Sequence, residues 1–345
     1  MQAFHVSFPG LGIRDLPINR VAFSFELGGS EFNIYWYGII IALAFLVCLL
    51  LIMREAPKHG LKKDDMVDMF IWIIILGLIG ARLYYVAFSW DEFASDPLKI
   101  FQTRYGGLAF YGGLIGGLLG VVITSKLKKI DLLYLVDFCA VYVPLGQAIG
   151  RWGNFVNQEA FGTNTDLPWG MFSEQTYSYL NQFGQQYAPM SPVHPTFLYE
   201  SLANIVIFLI LHKFRKKSQK NGQVVGLYLI LYGLVRFLVE GLRTDSLYVG
   251  NSGIRVSQAL SLVFILLGLV LEFLAAKEFF GDKAKYLLLA AETELEAGED
   301  QAASELESEA GPSEEQADSE EQVELVEPEF KAETGAEGAS LKDKE

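Results

Sequence analysis

A polar segment near the middle of the chain has residue types that suit a phosphate ligand. It runs from Gly146 to Gly162 with the sequence GQAIGRWGNFVNQEAFG. Arg151 supplies a planar, permanently charged guanidinium that can bind two phosphate oxygens at once. A lone Arg-Gly-Asn is as readily a polar loop that caps a helix, but this segment adds Asn154, Asn157 and Glu159. We therefore interpret it as part of a candidate site.

A second group of polar residues lies at helical spacing within the apolar run LYGLVRFLVEGLRTD. Tyr232, Arg236, Glu240 and Arg243 follow one another at offsets of 4, 4 and 3 residues, which places them on one helix face. Ionisable groups inside a membrane are costly and usually face a protein interior or a cavity. The spacing predicts two guanidinium groups with a carboxylate between them, and the alternative is charge pairing that only holds helices together.

These residues need a scaffold embedded in a membrane, and the apolar runs of the chain predict one. The chain has 345 residues, of which 51% are hydrophobic. A helix of about 20 apolar residues crosses a hydrocarbon core of about 30 Å. The predicted fold is an all-α polytopic membrane protein with seven transmembrane helices, at 34–53, 69–88, 107–125, 132–149, 197–211, 224–239 and 256–274.

The predicted third span begins near Tyr111, which would bring a hydroxyl to the depth of the candidate site. Gly112, Gly116 and Gly120 recur at every fourth residue of this span. This spacing is typical of helices that pack closely in membranes, and the missing side chains could also leave room for a lipid chain.

The basic residues predict the orientation, because Lys and Arg are retained on the cytoplasmic side of a membrane. The loops 54–65, 126–131 and 212–223 contain 4, 3 and 5 Lys or Arg residues. We therefore expect the N-terminus and a small head at 150–196 to lie outside the cell and the C-terminus to lie in the cytoplasm.

The negative charge of the chain is confined to its last residues. Residues 291–345 contain 20 acidic and 3 basic residues, a net charge of −17, whereas the whole chain has −14. Such a composition cannot bury enough apolar surface to fold, which predicts an acidic C-terminal tail that is disordered from about residue 291. The predicted domains are an extracytoplasmic or interfacial arm at 1–33, a seven-span domain that carries the site at 34–277, and a cytoplasmic tail at 278–345.

Cysteine and histidine usage does not predict a metal site or a disulfide framework. Cys48 and Cys139 both lie in apolar runs, and the four His residues are scattered along the chain. We expect no cofactor and no nucleic-acid partner.

The polar segment resembles the signature of bacterial prolipoprotein diacylglyceryl transferases, G-R-x-G-N-F-x-N-x-E-x-x-G, and matches it from Gly150 to Gly162 without a mismatch. In many members of that family His-Gly-Gly stands where this chain has Tyr111-Gly112-Gly113, so a role of that His as general base cannot be transferred unchanged. The resemblance covers roughly residues 30–275, and its further matches are Tyr35 to Gly38, Gly80 to Arg82, His194 to Glu200, Tyr232 to Arg243, and Arg255 to Gln258.

The resemblance implies an enzyme that moves the diacylglyceryl group of phosphatidylglycerol onto the lipobox cysteine thiol of a prolipoprotein. The product would be a thioether, and glycerol phosphate would leave. Arg151 would then bind the lipid phosphate, Asn154 would orient the headgroup, and Glu159 would hold the signature segment in shape.

The same resemblance implies the remaining roles. Arg236 and Arg243 would stabilise the leaving phosphate, with Glu240 fixing their geometry, while Tyr37 and Tyr111 would flank the reacting carbon. The further residues implied in substrate binding are Asn157, Gly162, Tyr232 and His194.

Two other classes of protein also place charges inside membrane spans. A transporter predicts a polar path that reaches both faces, whereas the arginines cluster at the predicted outer side. A lipid-binding protein without turnover would explain the arginines but not the carboxylate at the same helical spacing.

Overall fold

The computed structural model describes residues 4–102, 106–248, 253–281, 283–292 and 295. It confirms an all-α polytopic membrane protein, with six helices long and apolar enough to cross a membrane. The described helices are, in chain order, α1 (Trp36–Glu55), α2 (Lys63–Phe88), α3 (Trp90–Phe93), α4 (Phe110–Lys128), α5 (Leu132–Ala140), α6 (Val143–Asn157), α7 (Glu174–Leu180), α8 (Thr196–Phe214), α9 (Gln223–Leu242) and α10 (Val256–Ala276).

The predicted fourth span, 132–149, is a bent pair of helices. α5 and α6 meet at an angle of 49°, and the spans number seven if this pair counts as one. Pro144 lies in the first turn of α6, where its missing N–H does no harm but where it cannot continue the hydrogen bonds of α5. Because α6 continues to Asn157, the first half of the signature is helical, and the segment predicted as the head at 150–196 begins inside this helix.

The other six predicted spans coincide with helices, and the two shortest were underestimated. The spans predicted at 197–211 and 224–239 are extended at both ends in α8 and α9. α2 and α4 pack through small residues, as the four-residue glycine spacing predicted. A Cβ at Gly112 or Gly116 would collide with the backbone of α2, at Gly80 and Leu76 respectively.

The arm predicted at 1–33 folds into strands that join the head. β1 (Phe4–Phe8) lies between β2 (Ile13–Ile18) and β5 (Phe172–Ser173), and both neighbours are antiparallel to it. β3 (Val21–Leu27) and β4 (Ser30–Tyr35) form a hairpin that leads directly into α1. Val6 is fully buried in an apolar cluster with Met171, Val193 and Phe197, so the arm is part of the head rather than a separate segment.

The end of the bundle opposite the head is closed by a large apolar cluster. Met66, Leu135, Val141 and Leu211 are fully buried there. The first residues of the predicted tail also pack against this end, because Tyr286 stacks on Tyr134 with the rings 3.8 Å apart. The predicted disordered tail lies outside the described residues from 296 onward.

Candidate active site

Four charged side chains from three helices meet inside the bundle at the head end. Arg151 of α6 lies 2.5 Å from Oε2 of Glu200 in α8. Arg236 of α9 lies 3.4 Å from Oε1 of the same carboxylate and 2.6 Å from Glu240, one helical turn further along α9. Glu200 therefore joins two guanidinium groups that belong to different helices, and we call these four residues the arginine cluster.

The burial of the arginine cluster is uneven, and this difference indicates a binding site. The side chains of Glu200 and Glu240 are 1% and 2% exposed, whereas those of Arg151 and Arg236 are 20% and 15% exposed. Each carboxylate pairs with at least one guanidinium, while each guanidinium keeps donors on its accessible side. Donors held in place at a site that excludes most water are well suited to an anionic ligand such as a phosphate diester.

The signature segment turns sharply after α6, and this turn fixes Glu159. Gln158 and Ala160, on either side of it, have left-handed backbone angles, φ 53° and 57°, which cost roughly 1–3 kcal/mol each for residues other than glycine. Glu159 Oε1 accepts hydrogen bonds from the side-chain amides of Asn154, at 2.9 Å, and Asn157, at 3.3 Å. Asn154 also lies next to Arg151, which donates to its Oδ1 at 3.4 Å. The turn therefore links Glu159 to the arginine cluster.

Gly162 lies where the head meets the end of α9. Its N–H donates to the carbonyl of His194 at 2.9 Å, and the N–H of Thr163 donates to the carbonyl of Leu242 at 2.8 Å. A Cβ at Gly162 would lie 2.8 Å from Cβ of His194 and 3.0 Å from the carbonyl of Leu242, which is too close for any side chain. Gly162 thus allows the signature segment to pack against α9.

The His194 side chain lies in the head and does not join the arginine cluster. Its Nδ1 lies 3.1 Å from the hydroxyl of Tyr199, which in turn accepts a hydrogen bond from Trp169. Burial lowers the pKa of His194 below its ordinary value, so the ring is neutral at pH 7. His194 therefore contacts Gly162 through its backbone carbonyl, whereas its side chain pairs with Tyr199 and not with the arginine cluster.

The prediction that Arg243 lies on the same helix face as Arg236 and Glu240 is wrong. α9 ends at Leu242, so Arg243 has an extended backbone, and its side chain leaves the helix face. It makes two hydrogen bonds to Asp245, at 2.8 and 2.6 Å. Arg255 donates to the backbone carbonyls of Glu240 and Arg243, and this contact caps the end of α9. Sequence reasoning missed Asp245, although its position two residues after Arg243 was visible.

Two tyrosines lie within electrostatic range of the arginine cluster, and a third lies near one of them. The ring of Tyr37 packs over Gly153 of α6, where a Cβ would lie 2.7 Å from the ring. Tyr232 is within electrostatic range of Arg151, Arg236 and Tyr111. Tyr111 itself is 36% exposed, and among the described residues its hydroxyl has no hydrogen-bond partner.

A cavity of about 1000 Å³ lies beside the arginine cluster, between the head and the first turns of α1. Tyr37 and Glu159 line it and also border the cluster, so the two sites are adjacent. The lining is apolar near Ile39 and Leu108 and polar near Asn157. Sequence reasoning did not identify the polar lining residues Arg20 and Asn33, because they lie outside the recognised motifs, and it passed over Asp245 at the end of the run that carries Arg243.

Comparison with known proteins places this geometry in a family. The family model described as prolipoprotein diacylglyceryl transferase matches residues 22–274. The chain belongs to this family. It is 39% identical over 269 residues to a protein of Finegoldia magna, covering 78% of this chain and 100% of the relative. It is 42% identical over 261 residues to one of Clostridioides difficile, covering 76% and 97%, and 44% identical over 256 residues to one of Enterococcus faecalis, covering 74% and 89%.

All three relatives carry the name phosphatidylglycerol–prolipoprotein diacylglyceryl transferase. The matched region contains α1 to α9, the arginine cluster, the signature segment and all but the last two residues of α10. Membership of this family and the helices long enough to span a membrane make the protein a multi-pass bacterial membrane transferase.

Proposed function

We propose that the protein transfers the diacylglyceryl group of phosphatidylglycerol to the lipobox cysteine of prolipoproteins. The head and the N-terminus face the outside of the cell, and the C-terminus faces the cytoplasm. The relatives named above support the two substrates. The distribution of basic residues supports the orientation, because the loops 54–65, 126–131 and 212–223 all lie at the end of the bundle opposite the head.

The observation that carries the proposal is the pair of guanidinium groups on Glu200. Arg151 and Arg236 come from different helices, and a single carboxylate that is 1% exposed holds them together. One phosphate could therefore accept hydrogen bonds from both arginines. Their donors would stabilise the charge that develops on the leaving phosphate, and a fixed donor of this kind is worth about 10²–10³ in rate.

The reaction forms one bond and breaks one bond. The cysteine sulfur forms a bond to the glycerol carbon, and the bond from that carbon to the phosphate oxygen breaks. The phosphate diester, with one negative charge, leaves as glycerol phosphate. Its phosphate is a monoester with a second pKa of about 6, so it can take up the thiol proton only in part at neutral pH. Nearby cations favour the thiolate, whose free pKa is about 8.5, so the arginines serve both reactants.

The other side chains support this chemistry by position. Tyr37 packs over Gly153, Tyr111 lies near Tyr232, and both tyrosines would flank the reacting carbon. Asn154 contacts Arg151 and would orient the headgroup, while Asn157 and Glu159 hold the turn. The substrate-binding roles of Tyr232, Gly162 and His194, and that of Arg243 at the leaving phosphate, belong to the same proposal.

A transport function has less support from the geometry. A transporter needs a polar path between both faces of the membrane. Here the polar residues below the arginine cluster end at an apolar cluster that contains Leu135, Val141 and Leu211, all fully buried. The arrangement favours a site that opens toward the head and the lipid.

The decisive experiment is to incubate the purified protein with phosphatidylglycerol and a lipobox peptide. Mass spectrometry should detect a peptide whose cysteine carries a diacylglyceryl thioether. An unmodified peptide with a correctly inserted protein would rule the proposal out. A reporter fused after Phe280 should give a cytoplasmic signal, and an external signal would overturn the orientation.

A further inference from the structure

A layer of neutral polar side chains lies one helical turn below the arginine cluster. Gln147 precedes Arg151 by four residues in α6, and Asn204 follows Glu200 by four residues in α8. α6 runs toward the head and α8 runs away from it, so both offsets lead deeper into the bundle. Ser201 Oγ donates to the carbonyl of Ala148 at 2.9 Å, which fixes the two helices at this depth.

The third side of this layer is α9. Gln147 Nε2 donates to the hydroxyl of Tyr228 at 3.0 Å. Tyr228 lies below Tyr232 on the face of α9 that carries Arg236, and the two tyrosine rings stack with centroids 5.6 Å apart. Three helices that carry the arginine cluster thus also carry a polar layer directly below it.

The amide groups of this layer are buried and incompletely paired. Asn204 is 1% exposed, and within the part of the chain that the structure describes neither its nitrogen nor its oxygen has a hydrogen-bond partner. Gln147 Oε1 is likewise buried without a partner there. A buried amide that makes no hydrogen bond destabilises a protein, so such groups in a folded protein call for a partner, which a bound ligand can supply.

The chemistry of the layer selects the kind of ligand. Asn204 offers one NH₂ donor group and one acceptor, and Gln147 offers a second acceptor. Neither side chain carries a charge, so the layer suits neutral hydroxyl groups, each of which both donates and accepts. The phosphate above it would be held by Arg151 and Arg236, which leaves the layer within reach of whatever the phosphate carries.

We propose that Asn204 and Gln147 bind the hydroxyl groups of the lipid headgroup and so select a phosphodiester that carries a diol. This inference rests on the proposed function, because it assumes that the arginine cluster holds the phosphate of phosphatidylglycerol. It assigns two specificity-determining residues that lie outside the family signature, which runs from Gly150 to Gly162.

The test compares two lipid donors that share the phosphodiester. Phosphatidylglycerol has two headgroup hydroxyls, and phosphatidylethanol with the same acyl chains has none. Transfer to a lipobox peptide is measured with each donor, and the readout is the ratio of the two rates. The wild-type protein should prefer phosphatidylglycerol by tenfold or more, since a site built to bind a hydroxyl group rejects an analogue that lacks it by about 10⁴-fold or more in the strongest cases.

Asn204→Leu, which is close in volume, should bring the ratio close to one. Gln147→Met tests the same point from α6, so a folding defect of either variant alone leaves the experiment decisive. Ser201→Ala is the matched control, because it removes a buried hydrogen bond between the same helices without removing an unpaired group, and it should keep the wild-type ratio.

The outcomes separate the two proposals. A wild-type ratio near one, or a wild-type ratio kept by both Asn204→Leu and Gln147→Met, would overturn this inference while the proposed function stands. A gain in melting temperature of Asn204→Leu with that unchanged ratio would assign the layer to internal water instead. No transfer from either donor by the wild-type protein would remove the proposed function, and this inference with it.

Discussion

Charged groups are buried at both ends of the helical bundle, but they are paired in different ways. At the end opposite the head, Asp137 accepts hydrogen bonds from the backbone of Gly222, at 2.9 Å, and Val225, at 2.8 Å, and pairs with Lys283 at 3.0 Å. Lys283 also donates to Ser218 at 2.8 Å. These donors occupy both oxygens of Asp137, and its side chain is 1% exposed.

In the arginine cluster the carboxylates are buried to the same degree, and the cations are more exposed, at 20% for Arg151 and 15% for Arg236 against 11% for Lys283. Arg151 and Arg236 keep accessible donors, and both border groups that the protein leaves unpaired. A buried charge whose bonding capacity is filled by the protein holds helices together. A buried charge with spare donors is available to a ligand, and the comparison predicts different consequences of mutation at the two ends.

The largest effect should be the loss of stability in Asp137→Ala. Removal of one partner leaves Lys283 charged in buried surroundings and two backbone N–H groups without an acceptor, which costs about 3–5 kcal/mol. Chemical denaturation in detergent should show this loss, while transfer per folded molecule stays within about threefold of wild type.

The double variant Asp137→Leu with Lys283→Met removes both charges. It should recover more than half of the lost stability, because coupled buried charges are not additive. If the losses of Asp137→Leu and Lys283→Met made singly add up to the loss of the double variant, the pair is not the source of the effect.

Arg151→Lys should have the largest effect on transfer. The substitution keeps the positive charge but removes the planar fork that could hold both Glu200 and a phosphate. We expect transfer to fall by about 10²–10³-fold, or about 2.7–4 kcal/mol in activation free energy, with little loss of folded protein.

Arg215→Lys is the matched control at the opposite end. Arg215 pairs with Glu55 at 2.7 Å and with the Tyr142 hydroxyl at 2.9 Å, so its bonding is also internal. This variant should lose stability but keep transfer within about threefold. If Arg151→Lys and Arg215→Lys reduce transfer equally, the distinction between the two ends fails.

The features of the fold that depend on short segments of the chain could be predicted from the sequence. Spans of apolar residues follow from hydropathy, and the helix face of Arg236 and Glu240 follows from their spacing. The family match from His194 to Glu200 included this carboxylate, but the sequence did not show that it joins Arg151 to Arg236. This pairing depends on the relative depth of α6, α8 and α9, which no local pattern sets.

The errors at Arg243 and at the first half of the signature have the same origin. One or two residues decide where a helix ends, and the backbone angle of a single residue turns a side chain away from the predicted face. The pairing of β1 with β5 joins segments far apart in the chain and rests on strands too short to identify by alternation.

Tyr111→Phe should have a smaller effect on transfer than any change in the arginine cluster. The Tyr111 hydroxyl has no hydrogen-bond partner among the described residues, so the variant loses at most a contact to substrate. That contact is worth about 0.5–1.5 kcal/mol, or roughly tenfold in rate at most.

The alternative is that the position of Tyr111 requires a base. Tyr111→His would then raise transfer near neutral pH, because imidazole has a pKa of about 6.5. The measurement is the transfer rate against pH for the wild type and both variants. A loss beyond a thousandfold in Tyr111→Phe that His restores would show that the arginines alone do not generate the thiolate.

The smallest effect should come from Asp245→Asn, which tests a pair between the two extremes. Asp245 is 35% exposed, and Arg243 is 14% exposed. Burial by itself would raise the pKa of Asp245, but the hydrogen bonds and charge of Arg243 lower it below the ordinary value. A lowered pKa in the folded state means that the pair stabilises the protein above the unfolded pKa of about 3.9, and that this stability is lost as the pH falls through the folded value. The stability difference between wild type and Asp245→Asn should therefore be about 0.2–1 kcal/mol and constant from pH 5 to pH 8, and it should shrink below about pH 4.

Since the pair is partly exposed, 1 M salt should reduce this difference, whereas the same salt should leave the effect of Asp137→Ala unchanged. Equal salt sensitivity at the two positions would show that exposure does not distinguish the pairs.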